Sequence, residues 1–228
     1  MDIRYLGHST FELSDGDTRV LIDPFLAPYN PKAPLSADEV DPTHIVVTHG
    51  HQDHTAHVVP VAQRTGAPVV ALVELADELA GDLGEDHEVH NPNLGGTVVF
   101  DWGWVKYVPA WHTSTTPKGT VNTPAGVVVN LGGTTVYHLG DTALFSDLAL
   151  VGRRTPIDVA IMCIGGHFTM DRHDAVEAAR FVGARTVIPC HYDTFPPIET
   201  DAQAFKGDVE RETDSTVVVL APGETHSA

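Results

Sequence analysis

No stretch of this 228-residue chain stays apolar for the roughly 20 residues that a membrane-spanning helix requires. Its start, Met1-Asp2-Ile3-Arg4-Tyr5-Leu6, lacks the charged segment and long apolar block of a secretory leader. A cytoplasmic protein with no membrane partner is therefore expected. Cysteine is scarce, and Cys163 and Cys190 each sit in an apolar, β-like run. That argues against a disulfide scaffold and reads as two small core residues. Positive charge is scarce too: 13 Lys and Arg face 31 Asp and Glu, for a formal net charge of -18. Binding to phosphate backbones rests on Lys and Arg contacts, so nucleic acid is a disfavoured partner.

Nothing in the composition marks a boundary, a repeat at the level of sequence or a low-complexity tract, so residues 1–228 are expected to form one domain. Hydrophobic residues make up 42% of the chain, with 20 Gly and 16 Pro spread along it, which fits a folded protein rich in turns. The first part alternates short β-rich runs with turn signals: Ile3 to Leu6, Ser9 to Leu13, the turn Asp15-Gly16-Asp17, then Arg19 to Ile22. After a Pro-rich loop from Pro24 to Pro34, the run Ile45-Val46-Val47 reads as a buried strand.

Helices are expected over Asp53 to Thr65 and Val73 to Leu83, with a strand at Val69 to Leu72 between them. Four strands follow, at Gly96 to Phe100, Val105 to Pro109, Ala125 to Asn130 and Thr134 to Leu139. The last third alternates: a helix near Phe145 to Val151, strand Val159 to Ile164, helix Arg172 to Val182, strand Thr186 to Pro189, helix Asp201 to Glu212, strand Thr216 to Leu220. Asp171 is placed to cap the start of the helix Arg172 to Val182 and Gly183 its end. The economical architecture is an α/β (α+β) four-layer αββα sandwich, two mixed β-sheets flanked by helices.

Fourteen histidines are many for this length, and one group stands out. His49, His51, Asp53 and His54 fall within six residues, just past the Ile45-Val46-Val47 strand and at the start of a helix. Extended residues alternate in direction, so His49 and His51 point the same way, and the first helical turn brings Asp53 and His54 to a neighbouring point. One loop can thus serve two metal positions. Imidazole nitrogen and carboxylate oxygen suit zinc first, with manganese or iron also accepted.

The run Thr48-His49-Gly50-His51-Gln52-Asp53-His54 resembles the signature loop of the metallo-β-lactamase superfamily. Asp23, His112, Asp141 and His191 match, in order, the further positions of that pattern. The resemblance implies one metal on His49, His51 and His112, a second on Asp53, His54 and His191, and Asp141 bridging both. It also implies a dinuclear hydrolase in which the paired ions lower the pKa of a shared water to about 7, and it makes Asp53 the acid/base group. Tyr5-Leu6-Gly7-His8-Ser9, Leu139-Gly140-Asp141-Thr142, Gly165-Gly166-His167-Phe168 and Pro189-Cys190-His191-Tyr192 are similar to short, stand-alone hydrolases related to L-ascorbate-6-phosphate lactonase. Small esters, lactones, thioesters or phosphoesters are the substrates this implies, ahead of β-lactam amides.

Asp23 is expected to orient a ligating histidine. His8, in the first turn, and His167, in a Gly-rich loop, are candidates for the active site itself; His167 stands where many relatives carry an acidic or amide residue. His138 reads as a buried, hydrogen-bonded strand residue, while His44, His57, His87, His90, His173 and His226 read as surface or capping residues. The loop Thr113 to Pro124 is a candidate pocket wall, in which Lys118 either meets an anionic substrate or is simply solvated. The apolar segment Phe25 to Tyr29 hints at an interface between copies in a homo-oligomer. Two rival readings stay open: a diiron oxygen or nitric oxide reductase, in which a glutamate usually takes the place of His51 and a flavin domain follows, and a metal-binding protein without enzymatic activity.

Overall fold

Residues alternate across a strand, so a run that is apolar at every position must be covered on both faces. Ile45-Val46-Val47 is such a run: Val46 joins the core between two sheets, whereas Ile45 and Val47 join a separate cluster beneath helices. Leu21 and its neighbours Val20 and Ile22 divide in the same way. The computed structural model describes residues 1–228. One sheet has the order β14-β1-β2-β3-β4-β5-β6. Its strands are β1 (Asp2–Tyr5), β2 (Phe11–Asp15), β3 (Thr18–Ile22), β4 (His44–Val46), β5 (Val69–Val70), β6 (Val89–His90) and β14 (Thr225–Ser227).

The other has the order β13-β12-β11-β10-β9-β8-β7. It contains β7 (Thr97–Phe100), β8 (Gly103–Pro109), β9 (Ala125–Leu131), β10 (Thr134–His138), β11 (Val159–Cys163), β12 (Thr186–Cys190) and β13 (Thr216–Val217). Both sheets are mixed. In each, antiparallel pairing at one end gives way to three parallel pairs at the other: β3–β4, β4–β5 and β5–β6 in one, β10–β11, β11–β12 and β12–β13 in the other. The chain thus builds one topology twice, a structural repeat without a counterpart in sequence.

Helices α1 (Gln52–Thr55), α2 (Val58–Thr65) and α3 (Val73–Leu83) belong to the first half, and α4 (Leu148–Arg154), α5 (Arg172–Val182) and α6 (Ala202–Glu212) to the second. Val61 of α2 and Leu75 of α3 close the outer cluster over Leu21 and Ile45. Ala179 of α5 and Phe205 of α6 belong to the larger cluster with β11 and β12. The layers are therefore helix, sheet, sheet, helix. Each Leu or Ile fully buried in them contributes about 2 kcal/mol of transfer free energy. No helix is long and apolar enough to cross a membrane.

Asp171 caps α5 as expected, its Oδ1 accepting from the N–H groups of His173 and Asp174 at 2.8 and 2.9 Å, and Gly183 ends it in the left-handed region. Cys163 and Cys190 are buried free thiols, register partners on β11 and β12. Burial, helped by Asp141, pushes the Cys163 thiol up to about 12.

Several elements differ from the sequence expectation: strand β6 has no counterpart in it, and the helix expected near Phe145 to Val151 lies at Leu148–Arg154. The helix expected over Asp53 to Thr65 is broken into α1 and α2 at Ala56 and His57. There the His57 N–H donates to Pro24 O at 3.0 Å and its Nδ1 accepts from Leu26 N–H at 3.0 Å, so tertiary bonds replace helical continuity. His57 is accordingly buried, not a surface residue. The last expected strand shortens to Thr216–Val217, and β14 adds an edge strand beside β1.

Candidate metal centre

Strand ends deliver the cluster. His8 follows β1, Asp23 follows β3, His49 to His54 follow β4, His112 follows β8, Asp141 follows β10 and His191 follows β12. Three of them have the positive φ that side chains rarely adopt: His8 at +58°, Asp23 at +48° and His191 at +53°. Such geometry costs about 1–3 kcal/mol per residue and persists where the surroundings over-determine it. Here all three sit around one point.

The metal loop is anchored from several sides. Tyr107 OH donates toward Val47 O at 3.0 Å and Val70 O at 2.8 Å, bridging the two sheets where β4 gives way to the loop. Asp23 accepts from Thr48 N–H and Thr48 Oγ1, both at 2.7 Å, and lies 2.8 Å from His54 Nδ1. Thus it fixes the ring that presents Nε2 to the centre, as a carboxylate behind a ligating imidazole does. Gly50 N–H donates to Ser114 Oγ at 2.8 Å and to Asn122 Oδ1 at 3.1 Å. A Cβ on Gly50 would collide with the Asn122 and Thr116 side chains, so any other residue there must displace part of the loop Thr113 to Pro124 that closes over it.

Asp141 Oδ2 is the hub. It lies 3.0 Å from His191 Nε2, 3.4 Å from His54 Nε2, 3.7 Å from His112 Nε2 and 3.9 Å from His49 Nε2. Potential ligand atoms gather into sets whose members lie within 4.8 Å of one another: His49, His51 and His112; His49, His54 and Asp141; and His8, Asp53, His54 and His191. His49, His51 and His112 fall in one set, and Asp53, His54 and His191 fall in another together with His8. His8 Nε2 is 3.0 Å from Asp53 Oδ2, its Nδ1 is 2.9 Å from Thr194 Oγ1, and its ring packs 4.0 Å from that of His191.

Electrostatics favour neutral imidazoles at His8, His49, His51 and His112 and ionised carboxylates at Asp53 and Asp141, with His54 the exception. Burial, reinforced by His54, holds His49 well below the usual imidazole value; burial lowers His51 and His112 as well. Burial and the neighbouring His191 lower His8 to about 4. For His54 burial acts in the same direction, but Asp141 and Asp23 outweigh it and hold the ring well above the ordinary value. Burial opposes ionisation of Asp141 and Asp53, yet His191 and His54 keep Asp141, and the His8 hydrogen bond keeps Asp53, below the usual carboxylate range. His54 Nε2, His191 Nε2 and Asp141 Oδ1 are buried without a hydrogen-bond partner. Buried orphans of this kind cost about 1–3 kcal/mol each, and nitrogen and oxygen donors converging on one point fit a divalent cation.

The cluster opens into a cavity of about 690 Å³ whose floor carries His51, Asp53, His112, Asp141 and His191. Phe25, Tyr29, Phe168, Phe195 and Pro197 supply its apolar wall, with Gln52 and Thr113 the remaining polar groups. Phe25 and Tyr29, read from sequence as a hint of an interface, therefore face the cavity. His167 does not: its side chain is exposed and packs edge-on against Phe168, 4.4 Å between ring centres, and Phe168 is the residue that lines the wall. Lys118 pairs with Asp82 of α3 and also lies outside the main cavity. His138 is buried as expected, its Nε2 3.0 Å from Ser9 O and its Nδ1 accepting from Gly140 N–H at 3.1 Å. His44 is half-buried and accepts from Trp102 Nε1 at 3.0 Å.

Two mixed sheets between helices, with a His- and Asp-rich cluster at their strand ends, define a metal-dependent hydrolase of metallo-β-lactamase fold. The sequence profile of the β-lactamase superfamily domain matches residues 2–191, and the chain belongs to that family. It is 46% identical to a UPF0173 metal-dependent hydrolase of Thermus thermophilus, over 98% of this chain and 97% of that protein. It is 41% identical to another from Pelotomaculum thermopropionicum, over 99% of both. Among solved structures, Igni18, a metallo hydrolase from the archaeon Ignicoccus hospitalis, superposes with a TM-score of 0.89 at 31% identity, covering 99% of this chain and 97% of that one.

Proposed function

We propose that the chain folds as one domain, binds two divalent cations and hydrolyses a small-molecule ester, lactone or phosphoester. The observation that carries this is the pair of ligand groups meeting at Asp141 on the floor of the cavity. His49, His51 and His112 would hold one ion, Asp53, His54 and His191 the other, and Asp141 would lie between them. Zinc is the first choice for this donor set, with manganese and iron as alternatives. When bound, such ions supply a nucleophilic water at neutral pH and polarise the scissile carbonyl or phosphoryl oxygen.

The protein's own groups do the rest. Asp53 is partly exposed on the cavity floor, so its carboxylate is placed to accept a proton from the attacking water and pass it to the leaving group. His8 holds that carboxylate: a neutral ring donating from Nε2 to Asp53 accepts from Thr194 Oγ1 at Nδ1. The apolar wall keeps bulk water off a bound substrate. Because the surface charge is strongly negative and the cavity floor carries carboxylates, nucleic acid is not among the expected partners.

The test is metal removal followed by reconstitution with zinc, manganese or iron and assay on a panel of esters, lactones and phosphodiesters. Turnover that returns with metal and is absent in His51→Ala supports the proposal. Reconstituted protein that turns over none of the panel contradicts it.

A further inference from the structure

The cavity over the metal centre contains no lysine or arginine. Divalent cations on the floor would serve the reacting oxygens of a phosphoryl group, but no side-chain cation stands in the wall to hold its remaining negative charge; the wall offers only Gln52 and Thr113 beside aromatic rings and Pro197. Lys118, the nearest candidate in sequence, is paired with Asp82. Long-range forces act in the same sense, since the formal net charge of -18 repels anions approaching from solvent.

A second cavity adjoins this one. Tyr29 and Gln52 line the first on one side and, on the other, line the second, of about 200 Å³, between α1, α2, α3 and the loop that carries Lys118. Ala56, Val59, Leu75, Leu79 and Pro117 supply the apolar part of its lining. Tyr29 is 60% exposed and Gln52 is exposed as well, so the partition consists of two side chains not locked into the core. The charged lining of the second cavity is Glu78, Asp82 and Lys118; Lys118 is paired with Asp82, which leaves the carboxylate of Glu78 in excess and disfavours a negative group there.

We infer that the substrate is an uncharged carboxylic ester or lactone with an apolar arm, its reacting carbonyl over the floor and its arm running past Tyr29 and Gln52 into the second cavity. This rests on the hydrolase reading above and narrows it: phosphoesters and substrates with an acidic tail are disfavoured. Volumes of this size suit a small molecule held mainly by apolar contact.

Chain length and tail charge separate the possibilities. With the metal-reconstituted protein, kcat/KM is measured for 4-nitrophenyl acetate, 4-nitrophenyl hexanoate, the 4-nitrophenyl monoester of hexanedioic acid, and bis(4-nitrophenyl) phosphate. Hexanoate should exceed acetate at least tenfold, within the roughly 200-fold that burying four methylenes allows. It should also exceed the hexanedioate monoester, equal in chain length, at least tenfold, and the phosphodiester by more. Val59→Trp, which fills the second cavity, should bring the hexanoate-to-acetate ratio close to 1. A flat chain-length profile, an unchanged ratio in Val59→Trp, or a preference for the acidic tail or the phosphodiester overturns the inference. If no substrate is turned over, the hydrolase reading itself fails. Calorimetric binding of N-phenylhexanamide against the monoanilide of hexanedioic acid then decides this inference separately: tenfold tighter binding of the neutral amide sustains it, and equal or reversed affinity ends it.

Discussion

His8 Nε2 lies 3.0 Å from Asp53 Oδ2, joining the first turn of the chain to the carboxylate on the cavity floor. The His8 ring is fully buried, and its backbone is held at φ +58°. A residue kept in that conformation so close to the cluster is expected to position Asp53. His8→Ala should lower kcat about 10–100-fold, the usual effect of losing an orienting partner of a metal ligand, with a smaller change in KM. His8→Gln, whose amide can also donate to Asp53, should recover part of kcat. Wild-type kcat in both variants, with correct folding shown by circular dichroism, would remove His8 from the account.

Asp23 accepts three hydrogen bonds in a fully buried position. Asp23→Ala leaves Thr48 N–H, Thr48 Oγ1 and His54 Nδ1 without their acceptor. The expected cost is about 3 kcal/mol in urea unfolding of the metal-free protein, together with metal affinity weakened about 10–100-fold. Asp23→Asn retains one acceptor oxygen and should fall between the two. A stability change under about 0.5 kcal/mol in Asp23→Ala would contradict this role.

Gly50 is the point where the metal loop meets the loop Thr113 to Pro124. Gly50→Ala drives a Cβ into the Asn122 and Thr116 side chains. Overpacking of this kind costs about 1–3 kcal/mol, and it moves the peptide between His49 and His51. Metal titration of the variant should show weakened binding at one equivalent in particular, because the His49, His51 and His112 group is the one displaced. Equal weakening at both equivalents would argue against the assigned grouping.

The pH dependence of the metal-free protein follows from histidines buried in the neutral form. Burial holds His138 below its ordinary value, so the unfolded state binds more protons below about pH 6.5. The stabilisation is therefore present above the unfolded pKa and is lost as pH falls toward the folded value. His49, His51 and His112 act with the same sign, while His54, raised by Asp141 and Asp23, acts against them. Urea midpoints should fall between about pH 7 and pH 5, and His138→Gln should flatten part of that slope; an unchanged slope would exclude His138 as a contributor.

The gathering of His and Asp residues is legible because local patterns place them at strand ends: the apolar run at Ile45 to Val47 leads into His49, and the apolar runs before Asp141 and His191 lead into those residues. Once the strands pair in parallel, their ends fall at one edge of the structure. His8 was legible only as a candidate, since its contact with Asp53 spans two elements that nothing local connects. The break at Ala56 and His57 was hidden for a related reason: Pro24 and Leu26 supply the bonds that interrupt an otherwise helical pattern. Sequence spacing placed His167 and Phe168 together in the Gly-rich loop, but which of the two faces inward depends on a left-handed turn at His167, φ +56°. Phe25 and Tyr29 looked like an outward apolar edge because the segment that folds them over the cavity has no periodicity of its own.

The central claim is that one loop and three distant residues hold two metal ions. Metal content of the purified, reconstituted protein, measured by mass spectrometry against protein concentration, tests it most directly. The account predicts two equivalents per chain for the wild type and a loss of one equivalent or more in His51→Ala. One equivalent or none in the wild type, under conditions where the protein is folded and metal is in excess, would contradict it.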